Sequence, residues 1–168
     1  MDLIDIENLL KQNKITSKEL CTLYKWMNGI GDDFMNENIE VIELFPEGIM
    51  YSLREGLDRY KLYTQSDKIW EDQLFPIFTS GGGDYLLLDI SQNKLSSGMV
   101  FLYAPSLLLS EYPESIYDSL ESLFETIIAC IDRGAYDYRE DGTIDVDFDM
   151  KFELSEKLNP KSKYWQQT

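Results

Sequence analysis

The chain has no histidine among its 168 residues. That absence excludes Ser-His-Asp and Cys-His nucleophile systems and every zinc site that uses imidazole. Only Asp, Glu, Tyr, Lys and Cys remain for acid–base work. Basic residues are scarce, 15 against 31 acidic ones, for a net charge of −16 and a pI near 4.2. Such a field repels phosphate backbones and anionic lipid heads, so direct binding to nucleic acid or to a membrane surface is not expected. It attracts basic proteins and speeds their association. Cysteine is limited to Cys21 and Cys130. Both fall in amphipathic helical patterns and read as buried free thiols of a reducing cytosol, with no redox or zinc spacing. The start, MDLIDIENLLKQN, has no basic segment ahead of an apolar one, so no secretory signal is read. The longest apolar stretches, such as that around Leu86–Leu88, are far too short to cross a bilayer. A cytoplasmic location follows as the expectation.

What the chain does have is core material. Hydrophobic residues make up 43% and aromatics 13%. At this mass about 70% of the unfolded chain's surface is buried on folding. Residues 1–168 are therefore read as a single domain.

Ile6, Leu9 and Leu10 recur at helical spacing in the first dozen residues. Thr16 and Glu19 have capping-box spacing and open a second helix with the stripe Leu20, Leu23, Tyr24, Met27, stopped by Asn28-Gly29. Residues 31–38 read as a loop, and 39–45 alternate as a half-solvated strand. Ser52–Tyr63 reads as a helix that Gly56 weakens. Leu74–Thr79 is a strand in which Pro76 argues for an edge or a bulge. After a Gly-rich turn, Tyr85–Ile90 reads as a central strand buried on both faces. Met99–Tyr103 is the next strand. Tyr117, Leu120, Leu123, Phe124, Ile127, Ile128 and Ile131 form one apolar stripe of a long helix ending near Arg133-Gly134. This stripe, Phe124 included, is expected to pack on the sheet that holds Leu86 and Leu88. Residues 136–149 read as acidic and turn-rich, and Phe152–Leu158 as a last helix. The order predicts an α+β fold, a mostly antiparallel central sheet flanked by helices.

Three features invite chemistry. Ser80-Gly81-Gly82-Gly83-Asp84 resembles a phosphate loop in composition alone. A strand follows instead of a helix, and Asp84 would repel phosphate, so the glycines serve a tight turn. Asp145, Asp147 and Asp149 would share one face of a strand and so offer three carboxylates to a hard cation. Counting from Asp145, the sixth position is Met150 where a calcium loop needs Gly, so a solvated face is the better reading. No metal and no cofactor are expected. With 31 acids, a carboxylate pair for glycoside hydrolysis is available in principle, but spacing singles out none. Trp26 and Trp70 read as core residues with a polar tip at the edge.

The motifs together resemble the SUKH superfamily, which includes the Smi/Knr cell-wall regulators and many bacterial immunity proteins. The residues that carry the likeness are Leu23-Tyr24-Lys25-Trp26-Met27-Asn28-Gly29 at the end of an early helix, then Phe75-Pro76-Ile77-Phe78 leading into Gly81–Asp89. A strand and a long helix (Ser115–Arg133) follow, and the close is Leu158-Asn159-Pro160 through Trp165. The resemblance implies an α+β SUKH-like domain with a non-catalytic, protein-binding role. It carries over no catalytic residue. For bacterial members it implies neutralisation of a cognate toxin, and the acidic charge suits a basic one. The leading expectation is an immunity protein that occludes the basic active-site surface of a toxin. Asp32, Asp33, Asp84, Asp137, Glu140 and Asp141 on loops would steer it, and Tyr136 and Tyr138 would anchor it. The alternatives are a small carboxylate-based enzyme and a non-catalytic regulator or scaffold of cell-wall assembly.

Overall fold

A computed structural model describes residues 3–29, 47–66, 70–71, 73–80, 82–92, 94–105, 112–140 and 143–166. Helices α1 (Leu3–Gln12) and α2 (Lys18–Trp26) come first. Strand β1 (Ile49–Met50) and helix α3 (Leu53–Lys61), with a wider turn over Leu62–Ser66, lead into the sheet strands β2 (Leu74–Thr79), β3 (Tyr85–Asp89), β4 (Val100–Tyr103) and β5 (Glu114–Tyr117). Helix α4 (Leu120–Arg133), the strands β6 (Tyr136–Tyr138) and β7 (Ile144–Val146), helix α5 (Phe148–Leu158) and a 3₁₀ turn (Tyr164–Gln166) complete the described chain. The five-stranded sheet runs β1-β2-β3-β4-β5, antiparallel throughout, and β6-β7 form a separate pair. This is the α+β architecture that the sequence predicts.

Every residue of β2 and β3 is buried. Alternation along β3 splits its side chains. Leu86 and Leu88 enter the main core with Leu20, Leu23, Leu53, Phe75, Leu123 and Trp165. Tyr85 and Leu87 join a second cluster with Trp70 and Leu74, packed by Tyr51, Tyr63, Phe101 and Tyr103. Pro76 sits at a register shift against β3, a bulge inside the sheet and not an edge. The missing N–H is tolerated there because the ladder is already interrupted.

Local chemistry explains the boundaries, including those that sequence spacing misplaces. Ser17, not Thr16, caps α2, accepting from the Leu20 amide at 3.1 Å. Thr16 instead holds the Gln92 side chain across the fold. Asn28-Gly29 is not the left-handed stop of α2, which closes on an extended Met27. Asn28 Oδ1 accepts from the Leu53 amide at 3.0 Å, which caps α3 from outside. A Cβ on Gly29 would fall 2.3 Å from the Ser52 nitrogen, so only glycine admits this approach. Residues 115–117, read as the start of the long helix, are strand β5. Ile116 and Tyr117 are buried against the sheet, and the helix begins only after Ser119 supplies a capping box with Ser122. Residues 136–138 and 144–146, inside the span read as turn-rich, pair as β6 and β7. The last helix starts at 148 and not 152, because Asp147 caps it through the Met150 amide at 3.0 Å. The expected strand over 39–45 and loop over 31–38 lie outside the described residues.

The C-terminal segment covers the β5 edge. Ser162 Oγ donates to the Ser115 carbonyl at 2.9 Å, and the Trp165 indole N–H donates to the Ile116 carbonyl. Asn159 is fully buried. Its Oδ1 accepts from the Asp118 amide at 3.1 Å, and its Nδ2 donates to Thr126 Oγ1 at 3.0 Å. Carbonyls that would template another strand are thereby satisfied within the chain.

Candidate functional site

Helix α4 carries more apolar residues than one helix face can bury. Leu120, Leu123, Ile127 and Cys130 are buried, whereas Ile128 is 58% exposed and Ile131 43% exposed, and Phe124 is half-buried. The expected single stripe is thus two adjoining faces. The outer one, with Leu23 and Trp26 of α2 and Tyr138 of β6, lines an apolar groove of about 660 Å³. Trp26, expected in the core, is 64% exposed and meets Phe124 edge-on at 5.5 Å between centroids. Trp70, by contrast, is buried as expected. Lys18, Glu19 and Glu121 stand on the groove's margin.

The residues proposed from sequence for partner binding are distributed unevenly around this groove. Tyr138 is 46% exposed and lines it, and Asp137 and Glu140 are exposed on the same hairpin arm. Arg139 of that arm pairs with Asp145. Tyr136 is a correction. It is buried with Cys130 and Ala135, so it is a core ring and no surface anchor. Alternation along β6 puts Tyr136 inward and leaves the next residue facing out. Asp84 lies on the β2–β3 turn, at a different hollow. Asp32, Asp33 and Asp141 lie outside the described residues.

The second hollow, about 200 Å³, lies between that turn, β3–β5 and the C-terminal segment. Glu47, Asp84, Lys151 and Tyr164 supply its polar lining, and Leu86, Leu102, Ile116 and Trp165 its apolar lining. Lys151 Nζ lies 3.0 Å from Glu47 Oε1 and 5.5 Å above the Tyr136 ring, and the Tyr136 hydroxyl donates to the same Oε1 at 2.9 Å. Burial, then the Glu47 charge, holds the Tyr136 phenol well above its usual range. Sequence reasoning missed both Glu47 and Lys151. They stand 104 residues apart, and neither belongs to a motif that would mark it.

The aspartates considered for a cation are engaged separately. Asp145 pairs with Arg139, Asp147 caps α5, and Asp149 opens its first turn. Among the described residues no three acidic or thiol side chains gather as a metal-holding group. Cys130 is buried and Cys21 half-buried, both as free thiols. Burial pushes the Cys130 thiol upward, which disfavours the thiolate that nucleophilic chemistry needs. None of the described helices is long and apolar enough to cross a membrane.

An antiparallel five-stranded sheet with helices on its main core face, and an apolar groove between two of those helices, defines the α+β domain. Over residues 4–126 the chain matches the SMI1 / KNR4 family (SUKH-1), and it belongs to that family. No curated protein matches it. The matched span takes in the whole five-stranded sheet and the first half of α4. The β6–β7 pair, α5 and the C-terminal turn lie beyond it.

Proposed function

We propose that this chain is a cytoplasmic protein-binding module, a single SUKH-like domain, that neutralises a cognate basic toxin by covering its active-site surface. The observation that carries the reading is the groove. Ile128, Ile131, Tyr138 and Trp26 together expose large apolar surface on a molecule of net charge −16. Contiguous exposed apolar surface marks interaction sites. Aromatic side chains supply binding energy at the centre of such surfaces, and surrounding charge sets the on-rate. Asp137 and Glu140 beside Tyr138 provide that charge locally. The family fits this reading, and immunity and regulatory roles both occur within the wider superfamily that the sequence resembles.

The test is co-expression with the product of the adjacent gene in a host that the product harms. Growth should be restored, and association measured by stopped flow should slow steeply as salt rises, since screening cuts the field to about 8 Å at 0.15 M. Ile131→Asp should abolish the restoration while leaving the unfolding transition in place. Full protection by Ile131→Asp, or an on-rate that ignores salt, would overturn the reading.

A further inference from the structure

The 200 Å³ hollow is too small for an ordinary ligand, since pockets for whole small molecules run to about 300–1,000 Å³. It is the size of one long side chain. Its floor is apolar, formed by Leu86, Leu102 and Ile116, which suits a methylene stem. Its mouth is acidic. Lys151 is neutralised by Glu47 at 3.0 Å, so the charge left over among the lining residues is that of Asp84, and Glu114 stands outside the lining on the neighbouring strand. Glu114 is the cross-strand partner of Leu102. Among the described residues neither Asp84 nor Glu114 makes an ion pair. The Asp84 carboxylate is oriented by Ser80 Oγ at 3.3 Å, and the turn is tied by the Ser80 amide to the Asp84 carbonyl at 3.2 Å. Burial, then Glu114 and Glu47, holds the Tyr164 phenol above its usual range, so a negative potential is already felt at that hydroxyl. The Tyr164 ring itself is set edge-on to Trp165 at 4.7 Å and forms one wall.

We propose that this hollow is a socket for an arginine side chain of the partner protein, the stem lying on Leu86, Leu102 and Ile116 and the guanidinium between Asp84, Glu114 and Tyr164. Guanidinium matches the site better than ammonium. It is planar, stacks on an aromatic face and offers five donors to carboxylates on two sides. The socket deepens the partner reading and rests on it for the source of the arginine. It also adds a specificity device, because Lys151, Tyr164 and Trp165 lie beyond the span matched to the family while the floor lies within it.

The experiment needs no partner. N-acetyl-L-arginine amide is titrated into the full chain and methyl NMR shifts are followed, with the uncharged citrulline analogue as control. Saturable shifts are expected at Leu86, Leu102 and Ile116 for the arginine compound and not for citrulline. Asp84→Asn should weaken binding roughly fivefold, as loss of one partly exposed ion pair does. Glu114→Gln should act in the same direction. Ile131→Asp should leave the titration unchanged, so failure of the groove reading and failure of the socket are separable. Shifts that do not saturate by ~50 mM, far above a millimolar dissociation constant worth about 4 kcal/mol, would overturn the socket. So would equal response to citrulline, or an unaltered affinity in both Asp84→Asn and Glu114→Gln.

Discussion

Replacing Lys151 by Met removes the ammonium from a pair that folding has taken largely out of water. The two side chains are 16% and 9% exposed, with 3.0 Å between Nζ and Glu47 Oε1. Removing one partner of a fully buried pair costs about 3–5 kcal/mol, because the charge left behind has no compensation. Residual access of water around Lys151 moves the expectation to the lower end, about 3 kcal/mol. Loss of the cation over the Tyr136 ring, 5.5 Å away, adds about 0.5–1 kcal/mol. Met preserves most of the stem packing, so little of the loss is cavity formation. Glu47→Gln should cost less, since the amide oxygen still accepts from the Tyr136 hydroxyl. The double variant should then recover at least about 1 kcal/mol relative to the sum of the singles, the coupling typical of residues in one network. Urea unfolding followed by tryptophan fluorescence reads all four corners of the cycle. A loss well under 1 kcal/mol for Lys151→Met, the magnitude of an exposed pair, would refute the reasoning. Additivity of the two changes would refute it equally.

Gly56 lies inside α3, where a Cβ would sit 2.9 Å from Phe75 Cε1 and 3.1 Å from the Tyr24 hydroxyl. Gly56→Ala gains about 1 kcal/mol of helix propensity but overpacks a fully buried ring at about 1–3 kcal/mol. Net destabilisation is expected in urea, relieved by Phe75→Leu; a stabilised single variant would contradict it. Burial first, then Glu55 for Tyr24 and Glu47 for Tyr117, raises both phenols above their ordinary value of 10.0. Groups raised in the folded state contribute stability that is fully present below about pH 10 and lost as pH climbs past it. Alkaline unfolding should therefore coincide with late phenolate absorbance, while stability stays nearly flat from pH 6 to 8 for want of histidine; early reversible ionisation of all eleven tyrosines would contradict the burial. Trp165→Phe keeps a buried ring but drops the indole donor to the Ile116 carbonyl. It should cost about 1–3 kcal/mol, with amide exchange rising selectively along β5; unchanged exchange there would mean that the tail does not guard the edge.

Charge, the missing histidines, the α+β class and the central place of the strand read over Tyr85–Ile90 are all accessible from the sequence. Each rests on a local property, either composition or a period of two or 3.6 residues along a few turns. The N-cap of α2 is displaced by one residue from its capping-box reading because Thr16 and Ser17 are both competent, and only the fold decides that Thr16 faces Gln92. Strand β5 was hidden for a related reason. Ile116 and Tyr117 continue the apolar spacing of α4, and only pairing with β4 makes them extended.

The candidate site divides in the same way. The exposure of Tyr138, Asp137 and Glu140 is legible because acidic and aromatic residues on a turn-rich segment are conspicuous. Tyr136 reads as a surface anchor in the sequence because inward and outward positions of a three-residue strand look alike until the strand is packed on α4 and α5. The sequence by itself determined that this is a histidine-free, strongly acidic α+β chain, since charge and periodicity are additive along the chain. The tertiary structure alone decided which apolar residues are surplus to the core and which distant charges meet. Ile128 and Ile131 stay outside because α4 can bury only one face against the sheet. Glu47 and Lys151 find each other because the segment beyond β7 folds back over the sheet, a contact between positions too far apart for any local pattern to record.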